Sequence, residues 1–215
     1  MFFKKTLLCI CLYICLLSSV AFGGLEEVGD ATCRIKTGSG GVGTGVIFKE
    51  TESDLYILTA AHVIINRRGG PELSLRIRLY NSGEMSHEIP AYNVAAHFQP
   101  NSTLDIAIIK VEKKDLRDYP IPKPIPIADE SYTIKEGDTI LSYGCPSGYW
   151  PSGWKGKVNI AEKGRTVFKP YAIPGRSGSG IFDKDGTKVI GVLIWKNGTA
   201  VPLQLIHIIL KAHGI

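Results

Sequence analysis

Short apolar or alternating runs, each stopped by Gly, Pro, Asn or Asp, follow one another along most of the chain. They include Gly45-Val46-Ile47-Phe48, Leu55-Tyr56-Ile57-Leu58, Leu75 to Tyr80, Ile106 to Val111, Thr139 to Tyr143, Lys188 to Trp195 and Ala200-Val201-Pro202. Period two and that punctuation predict strands, and strands at such close spacing predict a sandwich or barrels. Two stretches differ. Tyr119 to Pro126 alternates proline with other residues, which fixes φ and removes amide donors. It therefore reads as an extended connector between two similar halves. Leu203 to Ala212 is apolar nearly all round and predicts a terminal helix, with Leu203, Ile206, Leu210 and Ala212 on one side.

The N-terminus has its own character. Lys4-Lys5 precedes an almost wholly apolar run from Leu7 to Leu17, and small residues follow at Ser18, Ser19, Ala21 and Gly23. That order reads as a secretory signal over residues 1–23, cleaved after Gly23 or, nearly as well, after Ala21, so no stable membrane association is expected afterwards. The 215 residues carry a formal charge of +5, which falls to +3 (23 basic against 20 acidic residues) without Lys4 and Lys5. That excess is too weak and dispersed to argue for nucleic acid. Three of the five cysteines lie in the leader; Cys33 and Cys145 remain, either paired or as buried thiols. No CxxC or His/Cys cluster points to a metal, and no cofactor is implied.

The chemistry concentrates in three places. Ser177 lies in Gly175-Arg176-Ser177-Gly178-Ser179-Gly180, His62 ends Leu58-Thr59-Ala60-Ala61-His62, and Asp105 opens Asp105-Ile106-Ala107-Ile108-Ile109. A serine attacks only when a base takes its proton. Histidine suits that task, and a carboxylate fixes its tautomer. Gly175 permits a backbone conformation in which its N–H, with that of Ser177, faces a developing oxyanion. Ser179 competes as nucleophile, but Gly175 then loses its place two residues before the serine. His87, His97, His207 and His213 lack the small-residue strand end that precedes His62, and read as surface or packing residues.

These three motifs resemble those of trypsin-like peptidases. The Ser-Gly-Ser form is similar to glutamyl endopeptidases, and Gly43-Thr44-Gly45-Val46-Ile47 to the HtrA and glutamyl-endopeptidase branches. The resemblance covers the chain from about Cys33 to its end. It implies an all-β, chymotrypsin-like pair of six-stranded β-barrels with a C-terminal helix. Residues 24–118 would form the first barrel with His62 and Asp105. Residues 119–127 would be the linker, 128–202 the second barrel with Ser177, and 203–215 the helix. It further implies Tyr171 at the floor of the specificity pocket, and Ile194, Trp195 and Lys196 on a substrate-facing strand. The pattern departs from the family at Arg176, where zymogens carry an aspartate that pairs with a new N-terminus. With no PDZ-like segment downstream, a stand-alone peptidase is expected rather than a regulated cage.

The expectation is a secreted or periplasmic serine endopeptidase acting on polypeptides, with His62 as base, Asp105 as its orienter, Ser177 as nucleophile, and the Gly175 and Ser177 N–H groups on the oxyanion. A catalytically silent protease-like binding protein and a serine esterase are the rivals. The oligomeric state is left open.

Overall fold

A computed structural model describes residues 23–215, apart from 67, 82, 163 and 170–172. The leader and Tyr171 thus lie outside the described residues.

The first half folds as α1 (Gly23–Asp30), β1 (Thr32–Thr37), β2 (Val42–Glu50), β3 (Asp54–Thr59), α2 (Ala61–Ile64), β4 (Leu75–Asn81), β5 (Glu84–Met85), β6 (Ile89–Phe98) and β7 (Asp105–Glu112). The second half holds β8 (Thr139–Gly144), β9 (Ser152–Glu162), β10 (Arg165–Lys169), β11 (Gly180–Phe182), β12 (Val189–Leu193), β13 (Thr199–Pro202) and α3 (Leu203–Ala212). The sheet β1-β2-β3-β7-β6-β4-β5 closes through a β1–β4 pairing, leaving β5 as an appendage to a six-stranded barrel. The order β10-β13-β12-β11-β8-β9 closes the second barrel. This is the double barrel that the resemblance implied.

Alternation explains the strands that the pattern made legible. In β4, Leu75, Ile77 and Leu79 point inward between Arg76 and Arg78. β7 instead runs Asp-Ile-Ala-Ile-Ile and is buried on both faces, because one side fills its barrel and the other is covered. The barrel interiors are Ile, Leu and Val with Phe168 in the second. The first core continues without a break into Phe182, Val189, Val192, Ile194 and Val201 of the second half and into Ile206, Ile209 and Leu210 of α3. Burial of this shared apolar surface supplies the non-directional attraction between the halves.

Two expectations need amendment. Ala212 is exposed, and Ile209 takes its place beside Leu203, Ile206 and Leu210, so the buried stripe of α3 follows i, i+3, i+6/i+7. α1 has no counterpart in the pattern of the sequence. It is anchored by Val28, which is fully buried, and by Thr32 Oγ1 donating to Val28 O at 2.7 Å. One apolar anchor among the described side chains of so short a helix is too little to register as a period. The connector is extended, and its C-terminal end is pinned to both halves: the Ile125 N–H donates to Ile47 O, and the Ala128 N–H donates to Val189 O.

Cys33 and Cys145 are both free and buried. Cys33 Sγ packs against Gly45 beside Ile35 and Ile57, inside the first barrel. Cys145 meets Thr44 and Tyr80, on the other face of the β1–β2 ladder. Strand alternation thus separates the two thiols by a layer of backbone. Burial pushes the Cys145 thiol up to about 11, and the Cys33 thiol higher still. Both stay protonated and unreactive at neutral pH. Iodoacetamide at pH 8 should therefore modify neither in the native protein and both after unfolding, as read by mass. Modification that requires prior reduction would show instead that they are joined.

Candidate active site

His62 sits in the first turn of α2, directly after β3 delivers Thr59 to the rim of the first barrel. Asp105 begins β7, the strand paired with β3, so the two residues arrive at the same rim from adjacent strands. Asp105 is 1% exposed. Its Oδ1 accepts from the His62 backbone N–H at 2.9 Å, and its Oδ2 meets His62 Nδ1 at 2.6 Å. A carboxylate oxygen only accepts, so Nδ1 carries the proton and Nε2 is left with its lone pair. The imidazole is thereby fixed in both tautomer and orientation, with a third of its side-chain surface open to the cleft.

Ser177 comes from the loop between β10 and β11. Its backbone O accepts from the Thr44 N–H at 2.8 Å. The Gly178 N–H donates to Leu193 O at 2.7 Å. Gly178 has φ +86, and a Cβ there would fall 2.1 Å from Thr44 O and 2.3 Å from Thr59 Oγ1. The serine loop is therefore seated directly on the strand end that leads into His62. Among the described residues, Ser177 Oγ makes no hydrogen bond, to His62 or elsewhere; such contacts are commonly open before a substrate binds. Ser179 is fully buried, with its Oγ against Gly144, so it is closed to any substrate.

The loop also presents donors. Gly175 has φ +88, which a residue with a side chain rarely adopts. Pro174 O accepts from the Ser147 N–H at 2.7 Å. In a trans peptide the N–H points opposite to the C=O, so the Gly175 N–H is turned away from the 145–148 segment. Neither the Gly175 nor the Ser177 N–H has an acceptor among the described residues. Two amide donors without an acceptor, one on the serine and one two residues before it, are the kind of group that binds a developing anion.

Two residues hold this geometry through contacts that the sequence did not announce. Thr44 Oγ1 donates to Gly175 O at 2.8 Å and accepts from the Cys145 N–H at 2.9 Å, while Thr44 O accepts from Thr59 Oγ1 at 2.7 Å. Arg176 is buried, and its Nη2 donates to Ser152 O at 2.8 Å and to Ser152 Oγ at 2.7 Å. Burial also pulls its guanidinium below the ordinary arginine value. The residue that the family pattern made anomalous is thus a tether from the serine loop to the start of β9. Nothing in a lone Gly-Thr-Gly or Arg-Ser dipeptide announces either contact.

His62 and Asp105 border a cavity of about 530 Å³ whose other walls include Phe98, Gln99, Asn101, Ile194, Trp195 and Lys196. The strand expected to carry the last three ends at Leu193, so they follow β12 instead of lying in it. Ile194 is 2% exposed, whereas Trp195 at 37% and Phe98 at 44% face the cavity. Among the described residues no cluster of His, Cys, Asp and Glu could hold a metal ion.

Comparison with known proteins agrees with this geometry. The family model of the trypsin-like peptidase domain matches residues 43–192. No curated protein sequence matches the chain. Among solved structures, the serine endoprotease from Yersinia pestis is similar at TM-score 0.67 and 20% identity, over 91% of this chain and 65% of that one. Deg5 is similar at TM-score 0.67 and 18% identity, over 90% of this chain and 92% of that one. Rv3671c protease, in an inactive form, follows at TM-score 0.65 and 16% identity, over 92% and 96%. At these identities the likeness is one of fold. The chain spans just under two thirds of the length of the Yersinia chain.

Thr44→Val keeps the shape of the side chain but leaves Gly175 O and the Cys145 N–H without their partner. Stability should fall by about 2–3 kcal/mol in denaturant melts, since two backbone groups lose their bonds inside the structure. The rate at which a fluorophosphonate modifies Ser177 should drop roughly tenfold or more, as misplaced oxyanion donors do. Thr44→Ser should restore most of both. A full reaction rate in Thr44→Val would show that the serine loop holds its shape without this residue.

Proposed function

The chain belongs to the trypsin-like peptidase family; on that premise we propose that it is an exported serine endopeptidase that cleaves polypeptides through His62, Asp105 and Ser177 by way of an acyl-enzyme. The observation that carries the reading is the two-point clamp of Asp105 on His62, with bonds of 2.9 and 2.6 Å. A structural histidine needs one such bond. A base that must accept and return a proton without turning needs its ring and its backbone held together.

His62 Nε2 takes the Ser177 Oγ proton as the oxygen attacks the scissile carbonyl. The imidazolium that results lies against Asp105, whose charge offsets it. The carbonyl oxygen becomes an oxyanion between the Gly175 and Ser177 N–H groups. His62 then returns the proton to the leaving amine, and water repeats the sequence on the acyl-enzyme. Export rests on the leader: Lys4-Lys5, the apolar run to Leu17 and the small residues to Gly23.

Substrate choice follows from the cavity beside His62. Phe98 and Trp195 offer apolar surface on the acyl side of the bond, and Lys196 adds positive charge. An apolar side chain gains from that surface, whereas a cation is disfavoured near Lys196. Tyr171 stays in this reading as the pocket-floor residue, and it brings no carboxylate.

Ser177→Ala should abolish both fluorophosphonate labelling and protein digestion while leaving the melting temperature within about 2 °C, because a half-buried hydroxyl contributes little to stability. Labelling of wild type without hydrolysis of a peptide library, or hydrolysis of esters alone, would overturn the peptidase reading. Labelling retained by Ser177→Ala would overturn the nucleophile.

Within a peptide library, cleavage after Arg or Lys should be rare. Trp195→Ala should raise KM roughly tenfold with a smaller change in kcat, since it removes ground-state binding area. A library dominated by cleavage after basic residues would mean that a carboxylate reaches the pocket.

A further inference from the structure

On the outer face of the first barrel, β1 and β4 pair so that Arg34 lies opposite Arg78 and Lys36 opposite Arg76. Their neighbours Cys33, Ile35, Ile77 and Leu79 are buried inside, so all four cations share the outer face, with Lys36 and Arg76 exposed and Arg34 and Arg78 half-buried. Like charges placed directly across a strand pair destabilise it. Among the described residues only Glu88 compensates, with Lys36 Nζ at 3.4 Å and Arg78 Nη2 at 3.6 Å. Arg34 and Arg76 have no ion pair among the described residues. The Nε groups of Arg34 and Arg78 are buried with no acceptor, and Arg78 Nη1 spends a proton on Met85 Sδ, a weak acceptor, at 3.3 Å. Two adjacent, in-register pairs of cations, with the head groups of Lys36 and Arg76 open to solvent, are a site for carboxylates.

We propose that this ladder is an exosite that takes an acidic, extended stretch of the polypeptide substrate, a proposal that rests on the peptidase reading above. Its position supports that occupant. Arg34 stands opposite Thr44 and Lys36 opposite Val42 in the β1–β2 pairing, and the Thr44 N–H holds Ser177 O. Strands are spaced ~4.8 Å apart, so β1 is one step and β4 two steps, roughly 10 Å, from the strand that touches the nucleophile. An extended chain covers that distance in about three residues. Spacing supports it too. The cations sit at i and i+2 on each strand, and same-face side chains of an extended peptide recur at the same ~6.8 Å. Four cations set against one carboxylate leave a short site of limited charge. It suits a few Glu or Asp residues better than the long phosphate track of a nucleic acid. The cavity at Trp195 includes none of these residues, so the two surfaces recognise different parts of one substrate.

The test measures binding with no hydrolysis, so it stands apart from the catalytic reading. A fluorescein-labelled hexaglutamate is titrated by anisotropy into Ser177→Ala protein, beside hexaserine and a single-stranded hexathymidylate. Hexaglutamate should bind, hexaserine should not, and the oligonucleotide should bind more weakly. Raising salt from about 0.05 to 0.3 M should weaken binding several-fold. Adding Lys36→Glu with Arg76→Glu should weaken it about tenfold or more; Lys36→Gln with Arg76→Gln, which introduces no new charge, should weaken it less. Arg76→Glu alone replaces a like-charge pair by an opposite one, so it should weaken binding while raising the melting temperature by roughly 1–3 °C. Equal affinity in the charge-reversed protein, no binding of hexaglutamate, or tighter binding of the oligonucleotide would each overturn the exosite. Loss of binding accompanied by a fall in melting temperature in Arg76→Glu would overturn it as well, by assigning the ladder to the fold.

Discussion

Everything at this site depends on how one strand of the first barrel is joined to one loop of the second, and Thr44 is the joint. Its N–H binds Ser177 O, its Oγ1 binds Gly175 O and the Cys145 N–H, and its carbonyl holds Thr59 Oγ1. His62 and Asp105 belong to one barrel and Ser177 to the other, so no local rule brings them together. Apolar burial presses the halves against each other, but it has no direction and would tolerate a slip of an ångström. Hydrogen bonds worth about 1 kcal/mol each add little to that attraction. Their contribution is register, because the bonds to Ser177 O and Gly175 O are both lost if the serine loop slides along β2.

The same economy governs the donors. Gly175 needs a positive φ, and Pro174 O must point at Ser147 for the Gly175 N–H to face the other way. Residues 145–148 are therefore as much part of the site as the serine loop. They are held in turn by Thr44, through the Cys145 N–H, and by Tyr80, whose hydroxyl reaches Tyr149 O at 3.4 Å and whose ring lies 5.2 Å from that of Trp150. Arg176 completes the frame from below. It tethers the loop to neutral acceptors on Ser152, an arrangement that depends on no ion pair with a chain terminus.

Much of the fold was legible because burial imposes a period. Strand β4 carries an apolar alternation that only a strand can bury, while β7 and α3 were legible as apolar runs whose length and flanking residues set their type. β9 carried no such signal: ten of its eleven residues are exposed or half-exposed, so its place in the second barrel is set by pairing with β8 and β10. α1 and the exchange of Ala212 for Ile209 escaped for the same reason, since one anchor or one helical step is below what periodicity resolves.

The sequence by itself determined the chemistry available: a serine between glycines, a histidine after small residues at a strand end, an aspartate opening an apolar strand. Those are local requirements, written in adjacent residues. Tertiary structure alone decided what each residue meets. It set Asp105 against His62 across β3 and β7, closed Ser179 behind Gly144, and made Thr44 and Arg176 supports of the serine loop. It also kept Cys33 and Cys145 on opposite faces of one ladder and lined up four cations on β1 and β4. Each of these is a contact between residues distant in the chain. Such contacts depend on barrel closure and strand register, which no short window of sequence contains.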